Sequence, residues 1–225
     1  MKPLTLYLVR HGAVIADQGK AYIGQVEAPL DESGVEQARA LGRWLEPVAF
    51  SAAWCSDLSR SQRTAQIILG NRRLPVRASA ALREIHLGAW DGLSFREIES
   101  RFPEAFAARG RDLENWCPPG GESFADLRAR VLPALESILG DAEGPVLLVG
   151  HAGVNRVILC QALGIPIGHL LRLGQEYGCL NILEYGEQSV RVRLLNFVPS
   201  GAAPADSGAV AGRETERARL ACPSI

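Results

Sequence analysis

Two histidines in this chain keep nearly the same company. His11 closes the run Leu8-Val9-Arg10-His11-Gly12, and His151 closes Val146-Leu147-Leu148-Val149-Gly150-His151-Ala152-Gly153. Each run is an apolar stretch of strand length that opens through small residues, so each imidazole is expected at the end of a buried strand. One strand-end histidine is more often structural than chemical. Two of them, one beside an arginine, point to a phosphate site if their strands are neighbours, because imidazole supplies a nucleophilic nitrogen and guanidinium a two-pronged grip on phosphoryl oxygens. Gly12 permits the sharp turn that such a site needs.

Two further segments add to this chemistry. In Cys55-Ser56-Asp57-Leu58-Ser59-Arg60-Ser61-Gln62-Arg63-Thr64-Ala65, a cap-like Ser-Asp precedes a helix expected over 59–69, and Arg60 falls in its first turn. An arginine there opposes the helix dipole, which suggests that an anion supplies the compensation. Arg63 is the weaker choice of the two. In Leu82-Arg83-Glu84-Ile85-His86-Leu87-Gly88-Ala89-Trp90-Asp91-Gly92, one acid stands ahead of a glycine-rich stretch. Phosphoryl transfer to an imidazole needs a group that protonates the leaving oxygen, and Glu84 is the candidate.

The elements that must position these groups alternate along the chain. Apolar runs at 4–9, 145–149 and 179–184, with a weaker one near 50–55, read as strands. Val35, Ala38, Leu41 and Leu45 share one helix face, preceded by Ser33-Gly34, and Phe124, Leu127, Val131, Leu135 and Ile138 form a second stripe. Pro133 kinks that second helix or marks its true start. A further helix is expected over 153–163. Alternation of this kind implies an α/β fold, a three-layer sandwich whose mostly parallel sheet carries helices on both faces, with ligands outside the carboxyl ends of the strands. The helix after His151 then aims its N-terminus at the same crevice, which favours anions.

Composition narrows the class. The chain has 225 residues, 47% of them hydrophobic, enough for one compact domain. Its 24 Lys plus Arg nearly balance 25 Asp plus Glu, so no global field attracts nucleic acid or an anionic membrane. No apolar run approaches the roughly 20 residues of a membrane span, and the start is too soon charged for a signal peptide, so a soluble, cytoplasmic protein is expected. Cys55, Cys117, Cys160, Cys179 and Cys222 include no Cys-x-x-Cys pair and read as free thiols. From about Val198 the composition turns to Pro, Ser, Gly and Ala and then to charge, so residues 1–197 are expected as the catalytic domain and 198–225 as a flexible tail. No internal repeat is present.

Over residues 4–197 the sequence resembles the histidine phosphatase superfamily, with its phosphoglycerate-mutase-like fold. Arg10-His11-Gly12 looks like the family's name-giving motif, Ser56 to Ala65 like its second-arginine segment, Glu84 like its proton donor and Gly150-His151 like its second histidine, all in the family's order. The resemblance implies His11 as nucleophile, Arg10, Arg60 and His151 as the phosphate pocket, and Glu84 as acid and then base. Tyr22-Ile23-Gly24-Gln25 resembles the family's substrate-side loop, so Gly24 and Gln25, with Ala152 beside the second histidine, are expected to touch substrate. Members commonly carry Glu-Thr after the motif and an asparagine further on, where this chain has Ala13-Val14 and Asp17. Either Asp17 points away from the phosphate, or it meets a cationic or hydroxyl part of the substrate.

The implied chemistry is that of a metal-independent, acid-type histidine phosphatase with no cofactor. Neutral His11 attacks phosphorus, the arginines and a protonated His151 hold the oxygens, and Glu84 serves the leaving alcohol and then water. Similar mutases carry a long insertion between the proton donor and a Gly-Glu-Ser region; here Glu84 and Gly121-Glu122-Ser123 are close, which favours hydrolysis over a cofactor-dependent phosphoglycerate mutase. Trp116 to Phe124 and Gly178 to Asn181 look similar to the α-ribazole phosphatase branch, which serves cobalamin synthesis. The partner is then a small phosphorylated metabolite, with no nucleic acid and no membrane, and a homodimer is the assembly entertained. The competing class is an inactive phosphate-binding module, against which the intact set of five residues argues.

Overall fold

The structure, a computed structural model, describes residues 3–15, 22–187 and 189–199. Asp17, Cys222 and the expected tail from position 200 onward lie outside the described residues.

Six strands, β1 (Leu4–Arg10), β2 (Ala52–Ser56), β3 (Val76–Ser79), β4 (Val146–Gly150), β5 (Leu180–Tyr185) and β6 (Val190–Phe197), form one sheet in the order β3-β2-β4-β1-β5-β6. The pairs β3–β2, β2–β4 and β4–β1 are parallel; β5 runs antiparallel to both β1 and β6. The mixed sheet is thus mostly parallel. Its side chains alternate between two cores. Leu4, Leu6, Leu8, Val146 and Leu148 face one side, where α5 (Phe124–Gly140) and α6 (Ala152–Leu163) cover them. Val9, Leu147 and Val149 face the other, under α1 (Glu32–Trp44) and α2 (Ser59–Leu69). Near-continuous apolar sequence in β4, buried at all five positions, is what a strand covered on both faces requires.

Several boundaries differ from the sequence reading for identifiable reasons. Helix α1 begins at Glu32, capped by Asp31 whose side chain accepts from Gly34 N–H at 2.7 Å, so Ser33-Gly34 lies inside the first turn and does not precede the helix. Helix α5 starts at Phe124 with a capping box between Ser123 and Asp126, and runs through Pro133. The proline is exposed, and so is Ala129 one turn earlier, whose carbonyl lacks its helical donor and can turn to water. Strands β3 and β6 escape the sequence reading because their faces are only half-buried and their alternation includes arginines. The stretch between Glu84 and Ser123 forms two short helices, α3 (Phe95–Arg101) and α4 (Pro103–Arg111), packed around Trp90, Phe102 and Trp116. Among the described residues no helix is long and apolar enough to cross a membrane.

Candidate active site

The register of β1 on β4 settles where the histidines go. Val9 pairs with Val149 and Arg10 with Gly150, so His11 and His151 are the next residues off two adjacent parallel strands. His11 N–H donates to the Gly150 carbonyl at 3.1 Å, and the two rings lie 5.0 Å apart. Gly12 is needed at this turn because α1 comes down on it: a Cβ there would stand 2.3 Å from the Gly34 carbonyl, and one on Gly34 would stand 2.0 Å from the Ala13 carbonyl. Gly12 N–H donates to Thr64 Oγ1 and Ala13 N–H to the buried Gln37 Oε1, which ties the turn to α2 and α1.

His11 is buried and its Nδ1 meets its neighbour's carbonyl, Gly12 O, at 2.8 Å. That contact places the ring proton on Nδ1 and leaves the Nε2 lone pair for attack. His151 caps α6 with no exposed surface, and its Nε2 lies 2.8 Å from Ser56 Oγ. Ser56 Oγ accepts from Leu58 N–H and is in hydrogen-bond contact with Nε2 of His151; with the hydroxyl donating to Nε2, the ring proton of His151 sits on Nδ1. Ser56, expected as a helix cap, instead orients the second histidine, and α2 starts after Leu58 without a side-chain cap. Burial, followed by the charges of Arg10 and Arg60, holds His11 well below the ordinary imidazole pKa. Burial, then His11 and the two arginines, does the same to His151. A protonated His151 therefore does not belong to the pocket's own charges; it requires a bound anion.

Arg10 is clamped from behind and below. Its Nη1 donates to the Gln175 carbonyl at 2.5 Å, and its guanidinium lies 3.7 Å from the centre of the Tyr177 ring. Gln175 is itself fixed by Asn155 and Asn181, a buried amide network behind the pocket. Arg60, 1% exposed, donates from Nη1 to Val26 O at 2.8 Å and from Nη2 to Gly24 O at 2.5 Å. Burial lowers its pKa, while Glu84 and Glu27 act in the opposite direction. Among the described residues, the Nε atoms of both arginines and Nδ1 of His151 are buried without a hydrogen-bond partner. Unspent donors on Arg10, Arg60 and His151, with both guanidinium charges acting on the two imidazoles, make a receptor for an anion.

Glu84 is buried and accepts from the backbone N–H of Gly153, at 3.1 Å to Oε1 and 3.0 Å to Oε2, in the first turn of α6. A Cβ at 153 would stand 2.3 Å from Glu84 Oε1, so a larger residue there would push the carboxylate off this N–H. Arg130 organises the approach: its guanidinium donates to the carbonyls of Ala81, Arg83 and Glu84 and forks onto Glu122. Gln25 Nε2 also donates to Glu84 O at 3.0 Å, and with Gly24 it lies on the loop that engages Arg60. Ala152, half-buried, is the first residue of α6, next to both Glu84's donor and His151. The structure thus brings together Arg10, His11, Gly24, Gln25, Arg60, Glu84, His151 and Ala152. Arg63, one turn into α2, is exposed and makes no hydrogen bond or ion pair among the described residues.

Sequence reasoning misses Ser56's role, Tyr177, Gln175, Arg130 and Gly153. Arg130 gives no local signal, because its carbonyl partners lie 46 to 49 residues away. Of the cysteines, Cys55, Cys117, Cys160 and Cys179 are free thiols; burial pushes Cys55 up to about 12 and Cys179 up to about 11, so neither is a nucleophile near neutrality. Among the described residues no group of three or more His, Cys, Asp or Glu is placed to hold a metal ion.

Several known proteins resemble the chain in sequence and in fold. The chain is 29% identical to the adenosylcobalamin/alpha-ribazole phosphatase of Escherichia coli, over 86% of this chain and 96% of that protein. It is 33% identical to the glucosyl-3-phosphoglycerate phosphatase of Mycolicibacterium vanbaalenii, over 77% of this chain and 80% of that one. Among solved structures, the alpha-ribazole phosphatase of Shigella flexneri superposes with a TM-score of 0.80 at 29% identity, covering 89% of this chain and all of that one. A mycobacterial glucosyl-3-phosphoglycerate phosphatase solved as a complex with VO3 gives 0.77 at 30% identity, covering 86% and 98%. The sequence model of the histidine phosphatase superfamily, branch 1, matches residues 6–198, from β1 past the end of β6 and through every side chain of the pocket, and the chain belongs to that family.

Proposed function

We propose that this protein is a phosphomonoesterase that hydrolyses a small phosphorylated metabolite through a phosphohistidine at His11. The observation that carries the reading is a set of buried donors without partners among the described residues, Arg10 Nε, Arg60 Nε and His151 Nδ1, on three residues that act on or pack against an imidazole whose Nε2 is left free. Nε2 attacks phosphorus as the P–O bond to the alcohol breaks, and the two guanidinium groups and His151 hold the three equatorial oxygens. The bound phosphoryl charge raises the pKa of His151, which then shares its proton with the anion. Glu84 gives a proton to the departing alkoxide, takes one from the incoming water, and the P–N bond breaks to release inorganic phosphate. The arginines and imidazoles supply the positive charge, so the reaction is expected to proceed without a metal and to survive a chelator.

Hydrolysis is favoured over mutase chemistry because only a 3₁₀ turn and two short helices, α3 and α4, separate Glu84 from Ser123. Shielding a phosphohistidine from water calls for a larger lid. For the ester we favour α-ribazole phosphate: similarity to the Escherichia coli relative spans 96% of that protein, against 80% for the glucosyl-3-phosphoglycerate phosphatase. Release of phosphate from a panel holding α-ribazole phosphate, glucosyl-3-phosphoglycerate and 3-phosphoglycerate tests this, with His11→Ala as control. Wild type is expected to turn over and to yield an acid-labile phosphoprotein on quenching, and His11→Ala to do neither. Equal, near-zero rates for both would instead mark a phosphate-binding module.

A further inference from the structure

Arg60 is buried, yet among the described residues no carboxylate touches it; what it grips is backbone. Its two terminal nitrogens hold the carbonyls of Gly24 and Val26 at 2.5 and 2.8 Å. The same stretch turns its N–H groups the other way, onto Asp91: Gly24 N to Oδ1 at 2.7 Å, Gln25 N to Oδ2 at 2.8 Å and Val26 N to Oδ2 at 3.2 Å. Gly24 C=O and Gln25 N–H belong to one peptide unit. That peptide is therefore bonded at its oxygen to the guanidinium and at its nitrogen to the carboxylate, an unbroken chain from cation to anion.

The arrangement solves a problem that a direct ion pair would create. A carboxylate forked onto Arg60 would compete with any phosphate for the same donors. Three converging N–H groups form an anion-binding nest, and the polarised Gly24–Gln25 peptide passes part of the carboxylate's charge to the Gly24 carbonyl that faces Arg60. The guanidinium is oriented and partly compensated while its Nε remains without a partner among the described residues. Asp91 is fixed in turn. It follows the 3₁₀ turn Gly88–Trp90, whose Trp90 is fully buried against Trp116, and its neighbour Gly92 N–H donates to Tyr22 O while Tyr22 N–H donates to Leu93 O. At its far end the loop is pinned by Glu27, which accepts from Ser59 at the start of α2.

We propose that Asp91 is the positioning residue for Arg60: through the Gly24–Gln25 peptide it sets the guanidinium for the phosphoryl group without contacting either. The proposal rests on the phosphatase reading of the pocket, and its test separates the two. Calorimetric binding of inorganic phosphate is measured for wild type, Asp91→Asn, Arg60→Ala and the double variant, with the unfolding temperature of each and KM and kcat for a phosphomonoester. Asn keeps the volume and one acceptor oxygen. Asp91→Asn is expected to weaken phosphate about tenfold in the presence of Arg60 and less than about twofold in its absence, a coupling typical of residues in one network. It is expected to raise KM more than it lowers kcat. Equal losses in both backgrounds, or a lower unfolding temperature with phosphate affinity unchanged, would mean that Asp91 merely braces the fold. Wild type that binds phosphate but hydrolyses no ester leaves the Asp91 cycle readable and removes the enzyme reading alone; wild type that binds no phosphate overturns both.

Discussion

Two buried imidazoles 5.0 Å apart, under the charges of Arg10 and Arg60, are held neutral by their surroundings. At pH 6.5, where an unperturbed histidine is half protonated, nitrogen-15 spectra of the ring nitrogens should show His11 as the Nδ1–H tautomer and His151 uncharged. Saturating inorganic phosphate should then bring proton character to His151, because an anion reverses the electrostatic sign of the pocket. Half-charged rings in the phosphate-free protein at that pH would contradict the pocket described. Glu84 makes a separate prediction through the leaving group. Glu84→Gln should cut turnover of alkyl phosphates by about 10²- to 10⁴-fold, the usual contribution of general acid–base catalysis, and should affect 4-nitrophenyl phosphate less in the first step, since nitrophenolate departs without a proton. Uniform loss across leaving groups, measured as kcat/KM, would remove Glu84 from the acid role.

The elements place these residues through close approach more than through side-chain bonds. Helix α6 brings the Gly153 N–H against Glu84, with 2.3 Å available where a Cβ would need more than 3. Gly153→Ala should therefore displace the carboxylate and lower kcat/KM, while destabilising the fold by the roughly 1–3 kcal/mol of an overpacked site. Circular dichroism melts beside kinetics separate the two effects; a fully active variant would show that Glu84 tolerates another position. The strands and helices that carry Arg10, His11, Arg60 and His151 are legible in the sequence because each sits where an apolar run meets small or capping residues. The stripe on α1 reads as purely apolar, however, and its buried Gln37 goes unnoticed, since the Ala13 N–H it serves lies 24 residues away. Asp91, Arg130 and Tyr177 are illegible for a related reason. The groups they serve belong to distant segments, and for Asp91 and Arg130 most are backbone, which leaves no residue-type signature.

At the scale of the whole molecule, the site is a cost to stability with a defined pH window. A histidine whose folded pKa is depressed binds fewer protons folded than unfolded, so stability rises with pH between the folded value and the unfolded value of 6.5, and is lost as pH falls below 6.5. The carboxylate Asp57, held below its usual 3.8 by the forked hydrogen bond from Arg83, acts in a different window: its contribution is lost only as pH falls below about 3.8. Loss of stability between about pH 6.5 and 5 is thus expected to come mainly from the two buried rings. Replacing His151 with Asn, which stays neutral, should flatten that part of the Tm profile while leaving the drop below about pH 4 in place. Phosphate should act in the same direction as the substitution, because an anion between the rings raises their folded pKa values toward the unfolded one. Inorganic phosphate at about a hundred times its Kd adds roughly 2.7 kcal/mol, or about 5–10 °C in Tm for a chain of this size, and the gain should grow as pH falls from about 7 to 5.5. A gain that shrank over that range, once the ionisation of phosphate itself is allowed for, would mean that the anion binds elsewhere than between His11 and His151.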